Sequence, residues 1–350
     1  MSAEQTRWVA SLSPWPVDGF GLDRMRALLR ELGDPQLAYP AIHVVGTNGK
    51  STATRTIEAL LLGDGLSVGS TVSPHVRTWS ERIRVNGEDV DFGAAIARVR
   101  PSAERLSATQ FETITAAALA EFATRGVDVA VVEAGLGGRL DATNVLDTKV
   151  VLLTNVGLDH TEVLGETTEE IAKEKLAVAH QNSLVVLSDN KYAVHVPGLH
   201  VVEGGAHEAA EAFVGHAIEA TVDIELPGRF ERRPGEIRDG AHNPDGARWL
   251  VGKLAAGDYT VCMSVLRDKD AAQMLAELAR VGRRLVATRS SNPRALPTDE
   301  LAALARLFFD HVETVSDPGV ALARAHELGE PVLVTGSLYL LADLEERDAT

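Results

Sequence analysis

Residues Ala41 to Thr52, AIHVVGTNGKST, put an apolar run, a glycine-bearing turn, a lysine and a hydroxyl in the order that phosphate binding needs. Ala41–Val45 reads as a buried strand, and Gly46 and Gly49 let successive backbone N–H groups converge on an anion without side-chain collision. Lys50 can reach the outer phosphates, and the Ser51 hydroxyl can hold Mg²⁺ where the next helix begins. Val44 stands where the first glycine of G-x-x-x-x-G-K-[ST] belongs, so a variant of that loop is expected.

Three further segments carry reactive groups at the ends of apolar runs. Glu133 follows Val127–Val132 and precedes Gly135-Leu136-Gly137-Gly138, which projects a carboxylate from the carboxyl edge of a sheet, where ligands of open α/β folds bind. Hard oxygen donors of this kind suit Mg²⁺. Val151–Leu153 runs into Thr154-Asn155-Val156-Gly157-Leu158-Asp159-His160, which brings His160 to the same edge. In the segment after it, Thr167 and Glu170 have capping-box spacing, and Ile171, Ala172, Leu176, Val178 and Ala179 form one helical face. Lys175 falls within that apolar face. An ammonium there must be paired, snorkel, or lose its proton, and a neutral amine is a chemically usable one.

The second half repeats the design with different groups. Pro227-Gly228-Arg229-Phe230-Glu231 supplies a guanidinium suited to charge on a transferring phosphoryl group. Asp239-Gly240-Ala241-His242-Asn243-Pro244 follows the strand-like Glu236–Arg238, with Pro244 placed for the first turn of a helix. Two more strand ends, Leu266–Asp270 and Thr335–Tyr339, lead into polar loops at the equivalent edge and could bind a second substrate.

The elements that must position these groups alternate between strand and helix. Strands are expected at Ala41–Val45, Val127–Val132, Val150–Leu153, Leu184–Leu187, Glu236–Arg238, Thr260–Ser264, Leu285–Thr288 and Pro331–Val334, and helices at Ser51–Leu62, Phe111–Thr124 and Thr168–Ala179. Asn86-Gly87 after Glu81–Val85 signals a hairpin beside the ligand cleft. The pattern is α/β: a phosphate-loop, doubly wound N-terminal domain over residues 1–226 and a smaller Rossmann-like α/β domain over 227–350, divided at Leu226-Pro227-Gly228.

Composition narrows the partners. A formal net charge of -16 opposes nucleic acid or an anionic membrane as the main partner, so any anionic ligand must be held by local positive groups. The lone Cys262 cannot form an intrachain disulfide, and no targeting segment or membrane-length apolar run is visible, so a cytoplasmic protein is expected.

Taken together, HVVGTNGKST, SPHVRTWSERIRVNG (Ser73 to Gly87), FETITAAALAEF (Phe111 to Phe122), VVEAGLGGRLDATN (Val131 to Asn144), TNVGLDHTEVLGETTEEIAKEK (Thr154 to Lys175), PGRFE, DGAHNPDG, SVLRDKD and TGSLYLL resemble, in order, the motifs of the folylpolyglutamate synthase/dihydrofolate synthase family. That family lies within the Mur-ligase superfamily of ATP-dependent amide ligases. The resemblance implies that Gly46, Thr47, Asn48, Gly49, Lys50, Ser51 and Thr52 cradle ATP and that Ser51, Ser73, Glu133 and His160 surround Mg²⁺. It implies a carbamylated Lys175, phosphate contacts from Arg229 and His242, nucleoside contacts from Asp239 and Asn243, and Ser337 near incoming glutamate. Lys50, His160, Lys175 and Arg229 are the catalytic candidates it implies. The implied activity joins L-glutamate to dihydropteroate or tetrahydrofolate through an acyl phosphate, releasing ADP, in a monomer that binds small molecules only.

Departures are local. Lys50 is followed directly by Ser51 with no intervening glycine, Lys175 is followed by Leu-Ala-Val, and residues 176–228 form a shortened stretch with Gly204-Gly205-Ala206-His207 where an adenine-reading asparagine is common. Besides a Mur-type ligase of another pterin-like acid, the competing readings are a muramyl-peptide ligase and a non-ligase nucleotide switch. The first carries a uridine-nucleotide domain ahead of its phosphate loop, where this chain has 45 residues before Gly46. The second reads guanine with Asn-Lys-x-Asp, which the chain replaces with Asn190-Lys191-Tyr192-Ala193.

Overall fold

The computed structural model describes residues 2–16 and 19–348, which divide into two compact units, residues 1–224 and 225–350. In the first unit the strands are β1 (Ala41–Val45), β2 (Val68–Thr71), β3 (Ile83–Val85), β4 (Glu88–Asp89), β5 (Val129–Glu133), β6 (Thr148–Leu153), β7 (Leu184–Leu187) and β8 (His200–Glu203). They lie in the order β4-β3-β2-β5-β1-β6-β7-β8. From β2 to β8 all neighbours are parallel, while β2, β3 and β4 pair antiparallel at one edge.

β1 and β5 are buried along their whole length, which is why they read as unbroken apolar runs rather than alternating ones. Helices cover both faces. The helix Gln110–Arg125 packs Ala116 to Phe122 into one core, and the helix Lys50–Gly63 packs Ile57, Leu60 and Leu61 into another. Its neighbour in that second core, the helix Ala206–Val214, contributes Ala209, Ala210 and Phe213. A Thr109/Glu112 capping box starts the first of these helices, and Gly126 at φ 63° ends it.

The expected hairpin forms: Asn86 and Gly87 take φ values of 54° and 80°, the left-handed pair that joins two twisted strands tightly. The strand β2 was not anticipated, because Gly69 and the polar Ser70-Thr71 disguise it. Gly69 is there for packing, since a Cβ would collide with the buried ring of Phe122. Element ends also shift: Glu133 is the last residue of β5 rather than the first of its loop, and the helix carrying Lys175 spans Thr168–Leu176, short of Ala179.

The second unit holds β9 (Glu231–Arg233), β10 (Glu236–Arg238), β11 (Thr260–Met263), β12 (Arg284–Ala287), β13 (His311–Thr314) and β14 (Val332–Thr335), ordered β13-β12-β11-β14-β10-β9. All pairs are parallel except the edge pair β9 and β10. Val261, Met263, Leu285, Ala287 and Leu333 form the sheet side of its core.

Replacing Gly69 by alanine forces a methyl group against Phe122 in a filled core. Denaturant unfolding of the Gly69→Ala protein is expected to show a loss of about 1–3 kcal/mol, with native-like stability contradicting this account of β2.

Candidate active site

Three neighbouring parallel strands, β5, β1 and β6, deliver their following loops to one carboxyl edge of the first unit. Strand order turns at this place: the chain goes from β1 outward to β2 on one side and from β6 to β7 and β8 on the other. A crevice at such a turning point is where open α/β sheets bind ligands.

The loop after β1 is sewn to the loop after β6. Thr47 N donates to the Asn155 carbonyl at 3.0 Å and Asn48 N to Asn155 Oδ1 at 2.8 Å, while Thr154 Oγ1 donates to the Asn48 carbonyl at 2.8 Å. Thr47 Oγ1 accepts from Gly157 N at 3.0 Å. Gly46, at φ 153°, allows this closeness, because a Cβ there would strike Thr154 Oγ1. Gly49 at φ 80° then turns the chain into the helix that begins at Lys50, whose Nζ donates to the Thr47 carbonyl at 3.3 Å. Ser51 is buried and Thr52 half-buried in the first turn.

Lys175 lies against this loop. Its side chain is 4 % exposed, and Nζ donates to the Gly46 carbonyl at 2.9 Å. Burial, then the nearby charge of Lys50, lowers its pKa to about 7, against the opposing pull of Asp159, Asp141 and Glu174. The Thr167/Glu170 capping box starts its helix as the spacing predicts. Its last turn meets the glycine-rich loop after β5: a Cβ on Gly138 would hit the carbonyls of Glu174 and Lys175, and Arg139 Nε pairs with Glu174 Oε2 at 3.0 Å.

Glu133 is buried at the end of β5, and its Oε2 accepts the Ser73 N–H at 3.0 Å. The structure thereby joins two of the four expected metal-site residues. Ser51, in the first turn after the β1 loop, and His160, after the β6 loop, stand at the same edge, His160 in the left-handed region at φ 51° with Nε2 3.9 Å from Asp159 Oδ1.

Asp141, Thr143 and His43 form a buried relay that sequence reasoning passed over. The Thr143 hydroxyl donates to Asp141 Oδ1, so the 2.7 Å bond between His43 Nε2 and Thr143 Oγ1 has His43 as donor. Burial holds the His43 pKa down at about 3, which keeps the ring neutral with its proton on Nε2. Asp141 also accepts from Leu136 N at 2.7 Å and Thr143 N at 3.0 Å, while burial pushes its carboxyl upward. The Asp-Ala-Thr-Asn run entered only as the end of the Val131 to Asn144 motif, and nothing in its spacing announced a partner about a hundred residues upstream.

In the second unit Asp239 is the organiser. It accepts from Phe230 N at 2.7 Å and Ala241 N at 2.8 Å, and burial raises its pKa against the opposing charge of Arg229. These bonds use its carboxylate to fix the Arg229 turn to the loop after β10, where Gly240 N donates to the Gly228 carbonyl at 2.9 Å. His242 Nδ1 bonds the Gly240 carbonyl at 2.9 Å, and Asn243 caps the helix Pro244–Lys253 by accepting from Gly246 N at 2.8 Å. Ser337 is buried beside β14, with its hydroxyl accepting from Tyr339 N at 3.1 Å.

Comparison with known proteins agrees with this geometry. Residues 44–223 match the family described as Mur ligase middle domain, and residues 228–338 match the Mur ligase, glutamate ligase domain. The chain is 32% identical to a dihydrofolate synthase/folylpolyglutamate synthase of Mycobacterium tuberculosis, over 85% of this chain and 80% of that protein. It belongs to the folylpolyglutamate synthase/dihydrofolate synthase family of Mur ligases. A probable bifunctional folylpolyglutamate synthase/dihydropteroate synthase of Haloferax volcanii is also 32% identical over 92% of this chain, which spans only 48% of that longer protein. Among solved structures, a Yersinia pestis bifunctional folylpolyglutamate synthase/dihydrofolate synthase complexed with AMPPNP and Mn superposes with TM-score 0.85 and 28% identity, covering 100% of this chain and 98% of the other.

For a Mur ligase of this kind a divalent cation must find oxygen donors at the cradle. Among the described residues no three His, Cys, Asp or Glu side chains cluster as a self-sufficient metal site. One buried carboxylate, Glu133, held by the Ser73 N–H at the same sheet edge as Ser51, still fits Mg²⁺, which keeps waters and takes substrate phosphate oxygens in place of a full protein cage. No helix among the described residues is long and apolar enough to cross a membrane.

Lys175 makes the stability of this Mur ligase depend on pH in a definite sense. Its folded pKa of about 7 lies below the ordinary 10.5, so between those values the unfolded chain binds the extra proton and stability rises with pH. Below pH 7 the buried amine must be charged at a cost on the order of a few kcal/mol. Denaturant unfolding should therefore find Lys175→Met more stable than the parent at pH 6, with the difference shrinking steadily toward pH 10.

Proposed function

We propose that this chain is an ADP-forming ligase that joins the amine of L-glutamate to the carboxylate of a folate-type acid, dihydropteroate or tetrahydrofolate. The observation that carries the reading is the Lys175 amine buried on the carbonyl of Gly46, which puts a second nitrogen nucleophile or ligand directly behind a phosphate cradle. A simple nucleotide switch has no use for such a group. The family's glutamate ligase domain over residues 228–338 and the ATP analogue in the Yersinia pestis relative support both the amino acid and the nucleotide.

In this reading a carboxylate oxygen of the acid attacks the γ-phosphorus of ATP, and ADP leaves. The resulting acyl phosphate is opened by the glutamate amine, which forms the amide, loses a proton and expels inorganic phosphate. Lys50 and the free N–H groups at the start of the helix Lys50–Gly63 neutralise charge on the phosphates. Mg²⁺, when bound, would be held by Ser51, Ser73, Glu133 and His160 and would screen the same phosphates. Arg229 and His242 are assigned to phosphate contacts, Asp239 and Asn243 to the nucleoside, and Ser337 to glutamate. Asp239 and Asn243 act through the backbone they organise, since their side-chain oxygens accept from the N–H groups of Phe230 and Ala241 and of Gly246 respectively.

Lys175 is assigned a carbamate. A neutral amine attacks CO₂ and releases one proton, converting a cationic side chain into a carboxylate-like one, and a pKa near 7 makes the neutral form abundant. The protein works on small molecules, as a cytoplasmic monomer.

Lys50→Ala is expected to lower ADP release that depends on both acid and glutamate by about a hundredfold or more. Near-normal turnover in that variant would sink the assignment. Assaying the parent against dihydropteroate, tetrahydrofolate and a muramyl precursor identifies the acid. In a second experiment, carbon-13 bicarbonate should give a carbamate carbon resonance in the parent that Lys175→Arg lacks; a parent with only the free amine while fully active removes the carbamate.

A further inference from the structure

Arg55 is buried at 3 % exposure in the phosphate-loop helix, one turn after Ser51, and nothing above uses it. Residues four apart share a helix face, so the hydroxyl of the cradle and this guanidinium look toward the same flank of the sheet. NH1 donates to Ser70 Oγ in β2 and pairs with Glu58 Oε2 at 3.0 Å, while NH2 donates to the main-chain carbonyl of Glu81. That carbonyl belongs to the segment resembling the family's substrate loop.

The loop is a body of its own. Val72 N donates to the Arg82 carbonyl at 3.2 Å and closes its base. The Glu81 carboxylate gathers the N–H groups of Val76, at 3.1 Å, Arg77, at 2.7 Å, and Thr78. Arg82 Nε donates to His75 Nδ1 at 2.9 Å, and the His75 and Trp79 rings stand 4.4 Å apart. A segment bound internally this well is placed as a unit by its outside tethers. The Ser73 N–H on Glu133 is one tether, the Trp79 ring packed 5.8 Å from Phe92 is a second, and Arg55 is the polar tether to the phosphate-loop helix.

We propose that Arg55 is a positioning residue whose forked guanidinium fixes the substrate loop, residues 72–82, to the phosphate-loop helix, so that acid and nucleotide are presented in register. A buried ion pair seldom stabilises a fold more than a well-packed apolar pair, and Glu58 Oε1 is left without a partner. Stability alone therefore does not account for the Arg55–Glu58 pair, whereas two fixed acceptors, Ser70 Oγ and the Glu81 carbonyl, do. Only a planar fork can serve both while facing Glu58.

The inference rests on residues 73–87 being the substrate loop of the proposed ligase, but its first test needs no substrate. Hydrogen exchange is measured on the full chain for Arg55→Lys and for the double variant R55M/E58L, which removes both charges and keeps apolar volume. Amides of 72–82 should exchange about tenfold faster or more in both variants, with the rest of the first unit as protected as in the parent. Unchanged exchange over 72–82 overturns the proposal, as does acceleration spread evenly over the unit. Protection retained in Arg55→Lys alone overturns the fork. With acid and glutamate supplied, KM for the acid should rise about tenfold while ATP affinity stays within about twofold; a rise in both equally overturns the register. Failure of every acid tested would count against the ligase reading and leave the exchange result standing.

Discussion

The bond from the Lys175 amine to the Gly46 carbonyl is the constraint on which the rest of the first unit turns. It ties a helix that follows β6 to the loop that follows β1, and it can be made only if the cradle, the helix and the glycine-rich loop after β5 all approach within side-chain contact. Each close approach has a residue that permits it. Gly46 makes room for Thr154, Gly138 for the carbonyls of Glu174 and Lys175, and Gly135 for the ring of Phe111. The glycines after β1 and β5 are thus spatial requirements of one buried amine as much as of a phosphate.

Burying that amine also dictates its surroundings. Asp141 and Asp159 pull its pKa up while burial and Lys50 push it down, and the balance near 7 leaves it poised. Burial raises the pKa of the Asp141 carboxyl, and the Thr143 hydroxyl, Leu136 N and Thr143 N donate to it and oppose that rise. The Thr143 hydroxyl is oriented in turn by a His43 that burial keeps neutral. A chain of short-range hydrogen bonds under the sheet edge thus orients one of the carboxylates that act on the lysine, starting from a strand residue whose side chain sequence alone marks only as polar in an apolar run.

Much of this was legible residue by residue. The strand β1, the turn and the helix after it follow from local rules, and so do the Asn86-Gly87 hairpin and the Thr167/Glu170 cap, because each depends on dihedral preference or i,i+3 spacing. The burial of Lys175 followed from periodicity, and its use from the cost of burying a charge. What stayed hidden depends on tertiary approach. The strand β2 looks too polar and too flexible until Phe122 is seen over Gly69, and Arg55 reads as an exposed charge on an amphipathic helix until Ser70 and Glu81 are beside it. The edge strands β8 and β13 escaped for another reason, since His200, Glu203, His311 and Thr314 are polar ends of short elements that take their pairing from a neighbour.

The charge of the whole chain gives these local arrangements their purpose. At a net charge of -16 the average field repels a nucleotide, so attraction must come from groups within a few ångströms of the phosphates. In the proposed reading Lys50 and the N–H groups of the helix start supply it, and a second permanent cation at Lys175 would repel Lys50. A lysine that burial holds near a pKa of about 7 lessens this, because it sheds its proton readily. It leaves Lys50 as the permanent cation of the loop and places nearby an amine whose charge is removed by the loss of one proton.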